Sequence, residues 1–134
     1  MSNVVKRRRE TLYQFIRFAM VGGLATSVHY ASALLLYYYV GLTSVMSNVG
    51  AYFVALCVSL IGQSLFTFGQ RISKKVAVRF AVVSLSSAIA TIAMTELLTK
   101  LLNLPFWLSL IIVITIIPLL TFLFQKTWVY KESA

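Results

Sequence analysis

Acidic residues are almost missing from this chain of 134 residues: Glu10, Glu96 and Glu132 stand alone against 12 Lys and Arg, and there is no aspartate. Paired carboxylates, the usual material of general acid–base and metal-assisted hydrolysis, are therefore excluded. Cys57 is the single cysteine, which rules out an intramolecular disulfide or a cysteine metal cluster. Inside its apolar run it reads as a small buried or lipid-facing side chain. His29 is the single histidine, so neither a Ser-His-Asp set nor an HExxH motif can be assembled, and no phosphate-binding glycine loop is present. These absences predict a non-enzyme that carries out no covalent chemistry and uses no cofactor and no metal. Charge of any kind is scarce, at 11% against 60% hydrophobic residues, too little to clothe a water-soluble surface.

What charge there is has a pattern. The net charge of +9 is compatible with nucleic acid or with membrane, and position decides between them. The basic residues fall into three clusters, Lys6 to Arg9 with Arg17, then Arg71 to Arg79, then Lys126 and Lys131, with only Lys100 outside them. From Phe18 to Gln70 and again from Leu101 to Gln125 there is no charged residue. Nucleic acid is thus excluded as a partner, and the clusters read as topology signals. MSNVVKRRRE followed by apolar sequence superficially resembles a signal peptide, but the run is too long and has no clear cleavage site, so it reads as a retained first span.

A helix needs about 20 apolar residues to cross the hydrocarbon core. The charge-free stretch from Phe18 to Gln70 therefore holds two spans, with Gly41, Thr43, Ser44, Ser47 and Asn48 marking the turn. A third span follows, then a break at Asn103, Leu104 and Pro105, then a fourth. The expected architecture is an all-α membrane protein, a single transmembrane domain over 1–134 with four transmembrane helices at about 14–40, 45–68, 77–100 and 105–127. Pro118, inside the fourth span, is expected to kink it. With four spans all three basic clusters lie on one side, which predicts cytoplasmic N and C termini and a cytoplasmic central loop. Tyr13, Phe15, Phe66, Phe68, Trp128 and Tyr130 gather at that boundary, and Tyr37 to Tyr39, Phe106 and Trp107 at the other.

The chain also repeats itself without gaps, with a period of 62 residues, the interval from Arg17 to Arg79. Arg17-Phe18-Ala19 matches Arg79-Phe80-Ala81; Val21 matches Val83, Leu36 matches Leu98, Gln63 matches Gln125, Phe66 matches Trp128 and Phe68 matches Tyr130. Each unit has two spans, so the repeats are parallel helical hairpins, and a duplicated hairpin is the economical account.

Polar residues inside the spans are the functional candidates, because lipid penalises them unless they face helices or a wet cavity. Gly22, Thr26, His29 and Ala33 share one face of the first helix, and Ser84, Ala88, Thr91 and Thr95 one face of the third. The second helix carries Ala51, Ala55, Ser59 and Gly62 on one face, with Gln63 beside it. Such stripes serve either close packing or a polar route. His29, about 17 Å beyond Phe18 at helical rise, lies near the midplane, as a structural hydrogen-bonding group or a proton relay. Glu96 stands one turn before Lys100, as a local ion pair or as a carboxylate facing a sugar's hydroxyl groups. Arg17 and Arg79 enter the bilayer at equivalent places, where Gln63 and Gln125 leave it, so their helix ends are expected near one another. With Lys126 and Trp128 they are either snorkelling anchors or a phosphate clamp at headgroup depth.

These residues resemble the GtrA-like family of small four-span bacterial membrane proteins, from Tyr13 to Lys131. RFAMVGG at Arg17 to Gly23, its echo RFAVV at Arg79 to Val83, and QKTWVY at Gln125 to Tyr130 carry the resemblance, with QSLFTF at Gln63 to Phe68 as the counterpart ending the second span. Gln63 and Gln125 stand where the family commonly has Asn, and QSLFTF lacks the basic residues.

The resemblance implies a flippase that carries an undecaprenyl-phosphate-linked monosaccharide across the bacterial inner membrane for cell-surface glycan or O-antigen modification. Membrane lipids and a polyprenyl-phosphate glycosyltransferase are the further implied partners. Four short helices enclose little volume, which predicts a homodimer or larger homo-oligomer. A non-transporting scaffold for the glycosyltransferase is the alternative. A small multidrug exporter is a third reading, but such proteins depend on a Glu in the first span, where this chain has His29.

Overall fold

The computed structural model describes residues 2–131, and these form four long helices joined by short turns. Helix α1 runs Ser2–Leu35, α2 Ser44–Gly62, α3 Lys74–Glu96 and α4 Phe106–Phe124. Each ends in a five-residue π-helical turn: Leu36–Val40, Gln63–Thr67, Leu97–Leu101 and Gln125–Val129. All four, with these turns, are long and apolar enough to cross a membrane, and no strand occurs among the described residues. The first helix begins at Ser2, well before the expected span, because nothing between Ser2 and Gln14 breaks a helix.

Local chemistry sets the boundaries. Gly41 adopts the left-handed conformation at φ 83°, and the Leu42 N–H donates to the Leu36 carbonyl at 3.1 Å. Asn103 does the same at φ 53°, with the Leu104 N–H donating to Leu98 at 3.0 Å. A left-handed residue is the usual device for closing a helix over its last carbonyls, and Gly and Asn pay least for it. Thr43 and Ser73 open α2 and α3 by accepting hydrogen bonds from the Met46 and Val76 N–H groups. Ser47 and Asn48, expected in the turn, thus lie inside α2, and the connection is only Gly41 to Thr43. Helix α4 continues unbroken across Pro118, flanked by hydroxyls of Thr115 and Thr121 that bond back to Ile111 and Ile117.

The helices group into two compact units, Met1–Ile72 and Ser73–Ala134. In the first hairpin, Phe18, Val21 and Ala25 of α1 are buried together with Ser47, Ala51 and Ala55 of α2. Small α2 residues let the backbones approach, and the approach is closest at Gly62, where an added Cβ would meet Val21 Cγ1 at 2.7 Å. In the second hairpin the buried set is Phe80 and Val83 of α3 with Ser109, Val113, Ile117 and Phe122 of α4. Much of the remaining apolar surface is open, with Ile89, Ile92 and Ile114 at least 60% exposed, as suits side chains whose solvent is lipid.

Candidate functional site

The candidate residues assemble where each even-numbered helix ends. The last carbonyls of a helix have no partner within it, and its C-terminus carries partial negative charge, so a cation is favoured there. In the first hairpin that cation is Arg17, whose Nη1 donates to the Phe66 carbonyl at 3.3 Å while the guanidinium lies 5.2 Å from the Phe66 ring centroid. In the second it is Arg79, whose Nη1 donates to the Trp128 carbonyl at 2.9 Å, again 5.2 Å from the ring centroid. Arg17 is exposed and Arg79 half-buried. One arginine is thus fixed against one aromatic residue in each hairpin, at positions that the repeat aligns. Lys126 adds a second cation beside this point, its Nζ 6.0 Å from the Phe122 ring centroid.

The two glutamines lie directly beneath, 1% and 2% exposed. Gln63 Nε2 donates to the Phe18 carbonyl at 3.2 Å, and Thr67 donates its hydroxyl to Gln63 Oε1. Gln63 therefore ties the π turn of its hairpin to α1, next to Arg17. Gln125 differs, since its Oε1 is buried without a hydrogen-bond partner. The cause is legible: the residue four positions after Gln63 is Thr67, whereas the one after Gln125 is Val129, which has no hydroxyl to donate.

The other expected residues stand apart from these clusters. Glu96 and Lys100 form their ion pair within one turn, 54% and 76% exposed, and such exposed pairs contribute little to stability. His29 is half-buried in α1. The hydroxyls of Thr91, Thr95 and Thr99 donate to carbonyls one turn back in their own helix, and Thr26 does likewise to Gly22, which satisfies them without a wet surface.

Sequence reasoning missed an open cavity of about 600 Å³ in the second hairpin, between α3 and α4. It is lined by Ser86, Ser87 and Ala90, one face over from the expected stripe of Ser84, Ala88, Thr91 and Thr95. Ile117, Phe124 and Trp128 line the other wall, and the Ser87 and Thr121 hydroxyls join the walls at 2.7 Å. The signal was present in the repeat, because Ile117 and Phe124 stand where the tightly packed first hairpin has Ala55 and Gly62.

A family model described as GtrA/DPMS, transmembrane domain, matches residues 17–130. The chain belongs to the GtrA/DPMS transmembrane family. No curated protein and no solved structure matches it. The matched segment begins at Arg17 and closes at Tyr130, so both arginine–aromatic pairs of this GtrA/DPMS domain lie within it. Membership ties this multi-pass membrane protein to the handling of polyprenyl-phosphate-linked sugars, in a family whose membrane domain is typically non-catalytic.

Proposed function

We propose that this GtrA/DPMS protein is a flippase that moves an undecaprenyl-phosphate-linked monosaccharide across the bacterial inner membrane for cell-surface glycan modification, including that of O antigen. The observation that carries the proposal is the fixed guanidinium at the end of each hairpin, held by a carbonyl and a ring. A guanidinium presents five N–H donors in a planar fork suited to phosphate, and a single carbonyl bond to Nη1 orients that fork without exhausting it. Gln63 in the first hairpin, and Gln125, Lys126 and Trp128 in the second, supply amide, cationic and aromatic groups near the arginine of their own hairpin, and Glu96 and His29 are further candidates for sugar or proton contacts. The basic clusters orient both termini and the central loop toward the cytoplasm, so loading takes place on the cytoplasmic side. The two hairpins read as a duplicated unit, and a homodimer encloses more of the polar path than one chain does.

The scaffold reading, in which the protein holds a polyprenyl-phosphate glycosyltransferase in place, has one observation in its favour: the span threonines are satisfied by their own helices. Saturable binding separates the two readings. Purified protein in lipid nanodiscs is titrated with undecaprenyl-phosphate glucose and with undecaprenyl phosphate alone, alongside Arg17→Ala and Arg79→Ala variants. Binding lost in either folded variant supports transport; no binding by the wild-type protein leaves the scaffold.

A further inference from the structure

The two hairpins are aligned by the repeat but are not equivalent in space. In the first, Val21 lies against Gly62 so closely that a Cβ there would stand 2.7 Å from Cγ1, and Ala55 is buried nearby. At the corresponding places of the second hairpin, Ile117 and Phe124 are bulky, and the cavity of about 600 Å³ has Phe124 on its rim, 57% exposed. That volume falls within the ~300–1,000 Å³ of sites that enclose small molecules.

Its chemistry is that of an amphiphile site. The walls are largely apolar, with Ile117 and Leu120 of α4 facing Val82 and the hydroxyls of Ser86 and Ser87 of α3. One end is formed by Trp128, and the Arg79 guanidinium is stacked 5.2 Å from the centroid of that ring. An apolar groove ending at a fixed cation is complementary to a hydrocarbon chain that carries an anionic head. Nothing in the spans of a second copy offers an equivalent charge, since the one carboxylate there, Glu96, is paired with Lys100.

We infer that the second hairpin alone holds the lipid: the polyisoprenoid chain lies in the α3–α4 groove with its phosphate at Arg79, while the first hairpin, packed shut at the equivalent positions and open in a smaller cleft of about 240 Å³ at its other end beside Ala33, Tyr37 and Ser47, is the structural half. The inference rests on the reading of the protein as a polyprenyl-phosphate-sugar transporter and adds to it an asymmetry between the repeats.

The test is photolabelling in nanodiscs of phosphatidylethanolamine and phosphatidylglycerol, with an undecaprenyl phosphate carrying a diazirine on its chain, mapped by peptide mass spectrometry. Two variants narrow the groove from one wall, Ala90→Phe and the milder Ser86→Leu, which installs the first hairpin's own Leu24 equivalent. Saturable label is expected within 82–90 and 117–128, displaced by undecaprenyl phosphate but not by excess phosphatidylglycerol, and reduced about tenfold or more in both variants. Label in the first hairpin, or shared equally between the two, overturns the asymmetry while leaving transport intact. Equal displacement by phosphatidylglycerol makes the groove an ordinary lipid contact and overturns the inference, as does a groove occupied by cross-linked protein from a second copy. Absence of any saturable label overturns the transport reading together with it.

Discussion

The side chain of Val21 occupies the ground on which a β-carbon at Gly62 would have to stand, 2.7 Å from Cγ1 and 3.3 Å from Cγ2. A valine is stiff at χ1 and cannot swing away, so the closeness of α1 and α2 depends on this one missing methyl group. Gly62→Ala is expected to destabilise the protein by about 1–2 kcal/mol, the cost of overpacking less the gain in helix propensity. Thermal unfolding in detergent checks this, and pairing the change with Val21→Ala should recover much of the loss.

Gly50 provides the contrast. A Cβ there meets only Leu36 Cδ1, at 2.8 Å, the far end of a flexible side chain. Gly50→Ala should therefore fall within about 0.5 kcal/mol of wild type in the same melt, because a leucine rotamer change offsets the clash and alanine favours the helix.

The glutamine pair yields a prediction of opposite signs. Thr67→Val removes the donor to buried Gln63 Oε1 and should cost about 1–3 kcal/mol, the penalty for an orphaned acceptor. Val129→Thr places a hydroxyl at the equivalent position, near Gln125 Oε1, which has no partner, and should stabilise by about 0.5–1.5 kcal/mol. Denaturant or thermal unfolding of the two single variants reads both signs.

Orientation is checked by sided labelling. In a Cys57→Ser background, a cysteine at Ser73 should react with a membrane-impermeant maleimide from the same side as one at Asn3, and cysteines at Thr43 and Asn103 only from the other. All four reacting from one side would contradict the four-span threading.

Much of this fold could be read from residues whose effect is local or periodic. Charge-free runs revealed three of the four spans and apolar length the third in chain order, which carries Arg79 and Glu96, and Gly41 and the Asn103 to Pro105 break marked two of the turns, because a span or a left-handed cap depends on its own few residues. Ser47 was misread as a turn residue because small polar side chains are common both in turns and in the buried faces of membrane helices, and only packing distinguishes the two; exposed Asn48 lies in the second turn of the helix that Thr43 caps. At the candidate site, the pairing of Arg17 with Phe66 and Arg79 with Trp128 was anticipated only as proximity of helix ends. The bonds to backbone carbonyls depend on how each π turn presents its last carbonyls, which side-chain identity does not encode. The groove went unread because it arises from two substitutions, at Ile117 and Phe124, whose consequence appears only when a second helix is placed against them.

The arginine clamps lead to a prediction about geometry as well as charge. Arg79→Lys keeps the charge but loses the planar fork that bonds the Trp128 carbonyl and stacks on its ring, so lipid-sugar binding should fall nearly as far as in Arg79→Ala. Equal binding by wild type and Arg79→Lys in nanodiscs would mean that charge alone is sufficient.

The most direct measurement of the central claim is translocation itself. Sealed liposomes containing the purified protein are loaded with undecaprenyl-phosphate glucose, and an impermeant oxidant reports how much headgroup stands on the outer face over time. Complete, protein-dependent exposure of the headgroup by wild type, with loss of that exposure in folded Arg79→Ala, is the predicted result. Headgroups that remain half protected at every protein density would contradict the transport account.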